Sequence, residues 1–449
     1  MAKIINVCQN LITKGLKLGA DHLEIFYLNA QDLDIQVNNQ KIENIKLAEE
    51  RGIGIRAYKN HSMGFAFTTD LDETALNKIL NQAINNSKYT SRDQYNILPG
   101  KFTEYQQLNI FDEEIKSTSI EEKISLAKEI EQYAKAYDKR VKMVQRAGYT
   151  DAQYENLIIN SHGLEAYYQG TYCGGYCLAI GEDKGDNQTG FGMQYSLKYK
   201  ELNPQEIGEQ AGKRAVRLLG SSTVNSQQAP IVLEPYIAAN ILGIIASALS
   251  GDSVQKGKSF LANKMGQKVA SELVTIIDDG KMEGGVLSAP FDGEGVPTSK
   301  KLLLEKGVLK QFLHNTYTAA KANTQSTGNG TRGTYRSTPG VGTTNFYLAP
   351  GDLSPKEIIK DIEQGLYVTD VMGLHTANPI SGDFSLGASG IWIEKGTLTK
   401  PVRGIAIAGN LRDILLNIDA IADDLTFFVG KGSPTVRVNN ISISGSSNI

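Results

Sequence analysis

The sequence predicts an α+β protein in two parts. An N-terminal domain of repeated α-β-β-β-α units precedes a strand-rich domain of sandwich or barrel-like form. Three observations carry this. The order of helix-like and strand-like runs in the first half recurs once. A small, polar, Pro-terminated stretch, GSSTVNSQQAP at 220–230, interrupts the chain. Beyond it the texture changes to glycine-rich β-runs with few helices. At 449 residues the chain is also too long for one ordinary core. The expected bounds are 1–220 for the first domain, 221–230 for the linker and 231–449 for the second domain.

The first unit opens with a helix over 3–19, with Ile4, Ile5, Leu11, Leu16 and Leu18 at helical spacing. Strand-like runs follow: HLEIFYLNA, LDIQVNN, KIENIKLAEERGIGIRAYKN and HSMGFAFTT. A second helix is expected from Leu71, capped by Asp70 with Glu73 closing a capping box. The order recurs from Ser119, where Ser119 and Glu122 form a box ahead of amphipathic SLAKEIEQYAKAY. Then come VKMVQRAGYTDAQ, YENLIINS, GLEAYYQGTYCGGYCLAIGE and TGFGMQYSLKY, and a helix capped by Asn203 with Pro204 in its first turn. GFA (64–66) corresponds to GFG (190–192), and Gly52/Gly54 to Gly174/Gly175. Duplication and independent convergence on one layered architecture both fit this pattern.

In the second half, IVLEPYIAANILGIIASALSGD (231–252) reads as a strand entering a helix that is apolar on every side. Further β-runs are VASELVTIIDDG, GGVLSAPFDGEGVP, KKLLLEKGVLKQFL, TTNFYLAPGD, ASGIWIEKGTLTKPV, GIAIAGNL, DDLTFFVG and PTVRVNNISISG. One helix is marked by Ser354, Pro355 and Glu357, with Gly365 expected just past its end.

Net charge −3 and a pI near 6.1 give no basic surface for nucleic acid or membrane. No apolar run is long enough to span a bilayer, and three cysteines form no disulfide framework, so the expected address is the cytoplasm. Cys173 and Cys177 stand four apart on a strand, about 13 Å, too far to share zinc. They read as small buried hydrophobes. The five histidines are scattered, and no H-E-x-x-H, P-loop or G-x-S-x-G is present. Two segments read as site-like: QSTGNGTRGTYRSTPGVGTTN (325–345), whose hydroxyls and arginines suit a peptide or carboxylate, and VMGLHTANPISGDFSLGASG (371–390), suited to a groove wall.

Together these pieces resemble the TldD/PmbA family, also called modulators of DNA gyrase. The resemblance lies in GADHLEIF (19–26), RGIGIRAYKN (51–60), VASELVTIIDDG (269–280), FDGEGVPT (291–298) and GVLKQFLHNTYTAAKA (307–322). It continues through STGNG (326–330), VTDVMG (368–373), SGDFSLGASGIWIEKG (381–396) and PVRGIAIAGNL (401–411). The family implies zinc metallopeptidases acting on peptides or unfolded chains, in two branches that pair. One branch, TldD-like, carries H-E-x-x-x-H on a helix and a later cysteine. The other, PmbA- or TldE-like, lacks them. On this pattern Gly243, Ile244 and Ala248 occupy the positions of the metal motif, and none can bind zinc or act as a base. No histidine or cysteine lies between 178 and 313, so a small shift in alignment restores nothing.

The resemblance therefore implies a non-catalytic subunit without a metal of its own. Its zinc-bearing TldD-like sister would cut peptides in a shared cavity. Asn329, Arg332, Met372, His375, Ser381 and Phe384 are the candidate substrate contacts. The alternative is a stand-alone homodimer that binds peptides without hydrolysis. A third reading, acid–base chemistry by His314, His375, Asp383 or Glu394, requires these residues to meet.

Overall fold

The computed structural model describes residues 2–445; Met1 and residues 446–449, the end of the second predicted domain, lie outside the described residues. The first half runs α1 (Ala2–Lys17), β1 (His22–Asn38), β2 (Lys41–Lys59), β3 (Ser62–Thr68) and α2 (Glu73–Asn86). After the short α3 (Glu113–Ser117), the order repeats as α4 (Ile120–Ala136), β4 (Val141–Asn160), β5 (Glu165–Asp183), β6 (Asp186–Ser196) and α5 (Pro204–Val216). The six strands form one antiparallel sheet in the order β3-β2-β1-β4-β5-β6. Each unit thus contributes three strands, joined at the centre where β1 pairs with β4.

Residues such as Ile25, Ile55 and Leu157 face α1 and α2, while Ile35, Tyr149 and Cys177 face α4 and α5. The GFA and GFG motifs serve the same purpose in each unit. A Cβ on Gly64 would stand 2.0 Å from the Ala83 carbonyl oxygen of α2, and one on Gly192 2.0 Å from the Ile207 carbonyl oxygen of α5. Glycine lets each helix backbone lie on its sheet. The other glycine match holds in part: a Cβ on Gly52 would meet the Tyr335 ring and one on Gly174 the Tyr195 ring, whereas Gly54 faces the backbone of Tyr335 and Gly175 faces Ile130 and Ile207.

Several boundaries differ from expectation. HLEIFYLNA and LDIQVNN form one continuous strand, as do VKMVQRAGYTDAQ and YENLIINS. The polar residues that divided them, Gln31 and Asp32 among them, lie on a ladder paired on both sides. Asp70 does not cap α2; its carboxylate accepts the Asp72 N–H (2.9 Å) in a turn before the helix begins at Glu73. The Ser119 box and the Asn203 cap form as expected.

The second half begins inside the expected linker, since β7 spans Gln227–Leu233. It continues with α6 (Pro235–Ala248), α7 (Gly251–Gln255), β8 (Ile276–Asp279), β9 (Lys300–Glu305), β10 (Val308–Leu309), α8 (Thr316–Lys321), β11 (Gly330–Thr331), β12 (Gly340–Val341) and β13 (Asn345–Leu348). Then come α9 (Pro355–Ile359), β14 (Gln364–Met372), β15 (Asp383–Glu394), β16 (Thr397–Asn410), α10 (Leu411–Leu416), β17 (Ile418–Ile421), β18 (Thr426–Phe428), β19 (Lys431–Ser433) and β20 (Val436–Ser444).

One sheet has the order β10-β9-β8-β13-β19-β18; the other, β16-β15-β14-β7-β20-β17, closes on itself through β16–β20 pairing and is barrel-like. The buried side of α6 (Ile237, Ile241, Leu242 and Ile245) enters the core these two sheets share. GGVLSAPFDGEGVP is not a strand. Its glycines and prolines make turns, with one bridge between Phe291 and Pro297. The Ser354 capping box forms, but α9 stops at Ile359 and Gly365 lies in β14.

Candidate functional site

Alternation along the first sheet sends one set of residues to the helices and the other toward the second half of the chain. Phe26, Tyr154, Tyr168 and Tyr172 belong to the second set. Loops 287–298 and 328–344 approach this face and leave a cleft of about 430 Å³, within the usual range for a ligand site. Phe291 enters from the loop side, its ring 4.9 Å from Tyr168 and 5.1 Å from Tyr105. Asp32 and Glu50 stand on the wall. Burial and the neighbouring Glu50 raise the Asp32 carboxyl.

Under the cleft lies a buried charge cluster that joins the two halves. Glu24 of β1 accepts from Arg56 of β2 at 2.5 and 2.9 Å, and from Arg332. Arg56 also reaches Glu294 at 3.2 Å, and Glu294 accepts the Thr316 N–H at 2.7 Å. Burial alone would raise the Glu24 carboxyl, but Arg332 and Arg56 outweigh it and hold it below the usual carboxylate range. Asp292 accepts N–H groups of Glu294, Val296 and Gly330 at 2.7–3.0 Å. Its burial, with Glu294 close by, pushes its carboxyl well above that range.

The predicted contacts fall into two groups that do not meet. Asn329 and Arg332 border the cleft; the Asn329 amide is committed, whereas Arg332 is paired through one nitrogen and keeps Nε and Nη1 buried without a hydrogen-bond partner among the described residues. Asn329 donates to Asp278 and to the Gly342 carbonyl, each at 2.8 Å, and so pins the 326–344 loop. The Arg332 side chain is 1% exposed, stacked 4.8 Å over Phe26 and paired with Glu24. Met372, His375, Ser381 and Phe384 lie elsewhere, at the β14–β15 corner. Met372 and His375 are exposed, Ser381 is half-buried, and Phe384 packs in the core.

His314 is buried, with Nδ1 3.2 Å from Thr318 Oγ1, and desolvation lowers its pKa. No hydrogen bond or ion pair joins it to His375, Asp383 or Glu394 among the described residues. Sequence reading missed the tyrosines of the cleft. Their alternation (Tyr154, then Tyr168 and Tyr172 on the adjacent strand) was the available signal. Cys173 and Cys177 are buried, and burial pushes the Cys177 thiol up to about 12.

The helix at the expected metal-motif position is α6. It is not buried all round. Tyr236, Asn240, Gly243, Ile244 and Ser247 form a stripe open to varying degrees. Ala248 is fully buried. Lys431, at the β18–β19 hairpin, lies across this stripe; its ammonium is 2.6 Å from where a Cβ on Gly243 would stand. Residues 243, 244 and 248 offer no side-chain donor, and a lysine cation occupies the approach to 243, so these residues do not fit a zinc ion. Among the described residues, no group of three or more His, Cys, Asp or Glu side chains is placed to hold a metal.

Sequence profiles of the PmbA/TldA metallopeptidase family match most of the chain: domain 1 over 23–87, the central domain over 113–219 and the C-terminal domain over 226–445. The metalloprotease PmbA homolog of Buchnera aphidicola is 29% identical over 98% of this chain and 97% of its own length. Metalloprotease PmbA of Escherichia coli O157:H7 is 27% identical over 93% and 92%.

Among solved structures, a protein of Thermotoga maritima described as a candidate modulator of a DNA gyrase superposes with a TM-score of 0.90 at 30% identity, covering 98% of this chain and all of that one. TldE of Thermococcus kodakarensis superposes with a TM-score of 0.90 at 26% identity, over 98% and 100%. The chain belongs to the PmbA/TldD/TldE metallopeptidase family.

Proposed function

We propose that this chain is the metal-free subunit of a two-chain peptidase of the cytoplasm, paired with a zinc-bearing, TldD-like sister. The observation that carries this is the open stripe of α6, where Gly243 and Ile244 present no donor and Lys431 lies across the approach. The similarity to TldE and PmbA chains supports the same reading. The division into units 1–220 and 231–449 belongs to this proposal. In the sister, zinc would activate a water and polarise the scissile carbonyl.

This chain's own contribution is shape. The tyrosine-lined cleft and the pinned 326–344 loop offer a wall along which an extended peptide could lie. Residues at the β14–β15 corner, Met372 and His375 foremost, would contact substrate or sister from the exposed side.

The test is zinc content by mass spectrometry together with peptide cleavage. Both are measured on the chain alone and on the complex co-purified with the organism's TldD-like chain. Zinc and cleavage only in the complex are expected. Stoichiometric zinc or cleavage in the isolated chain overturns the proposal.

A further inference from the structure

The charge cluster under the cleft leaves one cation short of acceptors. Glu24 gives both its oxygens to Arg56, one to Nε at 2.9 Å and one to Nη2 at 2.5 Å. Arg56 has Glu294 as a second carboxylate at 3.2 Å. Arg332 has only a share of Glu24, through Nη2. Its Nε and Nη1 are buried and meet no acceptor among the described residues. Unmatched N–H groups on a buried cation are costly, and protein interiors seldom keep them without a bound water, ion or ligand.

A second unmatched group borders the same cleft. Thr344 Oγ1 is buried and has no partner among the described residues. The loop is held there by backbone instead, the Thr344 N–H donating to Asp278 at 2.6 Å. The lining also says what kind of ligand fits. Phe26, Tyr168 and Phe291 give the cleft apolar and aromatic surface, which suits an organic ligand better than a bare ion. Asp32, exposed, and Glu50 stand on the sheet wall, with Arg336 taking up part of Glu50 at 3.6 Å. Two acidic groups repel a simple anion, but they suit a ligand that carries N–H donors beside its carboxylate. The end of a peptide has all three features: apolar side chains, N–H donors and one carboxylate.

We infer that the cleft is an end-recognition site, in which Arg332 receives the free C-terminal carboxylate of a peptide and Thr344 hydrogen-bonds to the same peptide. Nε and Nη1 point to different sides of the guanidinium, so the carboxylate accepts from one of them, and the contact is single rather than forked. The inference rests on the reading of the cleft as a peptide wall. It adds that the wall selects chain ends over the middle of a long chain.

The experiment is isothermal titration calorimetry on the full chain, with trileucine as the free acid, trileucine amide and acetate as probes. The free acid is expected to bind at least about tenfold more tightly than the amide, the value of one hydrogen bond between charged groups. Acetate is expected to bind far more weakly than the free acid. Replacing Glu24 and Arg332 together by leucine removes the guanidinium without stranding its charge. It should erase the preference for acid over amide, with circular dichroism confirming the fold. The wild-type comparison needs no variant. Equal binding of acid and amide overturns the inference and leaves the peptide wall standing. No binding of the free acid overturns it as well, and so does acetate binding as tightly, or a preference that survives the leucine pair. The zinc and cleavage test of the proposed function uses other readouts and stands whatever the titration gives.

Discussion

Replacing Glu24 by glutamine tests whether the buried charge cluster holds the two halves together. Glu24 is fully buried and faces two guanidinium groups, Arg56 at 2.5 and 2.9 Å and Arg332. The amide has nearly the same shape but no charge, so the change isolates electrostatics. Arg56 would keep the charge of Glu294 at 3.2 Å, whereas Arg332 would keep no carboxylate partner, only a neutral amide oxygen and the face of Phe26. Removing one partner of a buried pair and leaving a cation uncompensated costs about 3–5 kcal/mol. Urea unfolding of wild type and variant measures this, with Glu272→Gln as a control at the exposed Lys268–Glu272 pair, where no measurable change is expected. Replacing both Glu24 and Arg332 by leucine should cost less than Glu24→Gln alone, because no unpaired charge remains. A loss below about 1 kcal/mol for Glu24→Gln, the range of surface pairs, would refute the assignment.

Three further outcomes follow from the same geometry. Gly64→Ala and Gly192→Ala should each destabilise the first half by several-fold more than an exposed substitution, because the added Cβ meets helix backbone at 2.0 Å; equal urea midpoints would contradict the close-packing account. Gly243→Ala should instead stabilise by about 0.5–1 kcal/mol, the mid-helix cost of glycine, since only the movable end of Lys431 must shift; a lowered midpoint would show that Lys431 is fixed there. The Asp292 carboxyl is raised by burial and by Glu294, so between the unfolded value of about 4 and its folded value the native state binds the extra proton. Its contribution therefore declines as pH rises across that window and is flat above it. The stability advantage of wild type over Asp292→Asn should shrink from pH 5 to pH 8, and a constant difference would exclude the raised carboxyl.

Local chemistry was legible where it decides structure by itself. The caps at Ser119, Asn203 and Ser354 form because a side-chain oxygen and an orphan N–H are neighbours in sequence. The repeated unit was legible through order and through GFA and GFG, since close helix packing needs glycine wherever it occurs. Strand ends were not. Gln31 and Asp32 read as a break, yet ladder pairing on both sides outweighs their weak strand preference. FDGEGVP reads as part of a glycine-rich β-run, whereas Asp292 gathers three amides into a turn. The cleft was half legible. STGNG and its arginine were singled out, but nothing local says that Arg332 turns inward to Glu24, 308 positions away.

That inward turn explains what the family resemblance does and does not report. GADHLEIF supplies Glu24, RGIGIRAYKN supplies Arg56, FDGEGVPT supplies Asp292 and Glu294, and STGNG ends at Gly330, whose N–H meets Asp292 at 2.7 Å. Four stretches far apart in sequence converge on one joint. They are recognisable because a buried joint between two halves tolerates few alternatives: each charge requires its partner and each tight turn its glycine. The stripe of α6 obeys no such rule. Its neighbours there include Phe191, Phe428 and Lys431, none of which belongs to the joint. The donors at 243, 244 and 248 can therefore be absent while every residue of the joint stays in place. On the proposed function, a chain of this fold keeps the frame of a metallopeptidase while its sister chain would hold the metal and carry the activity.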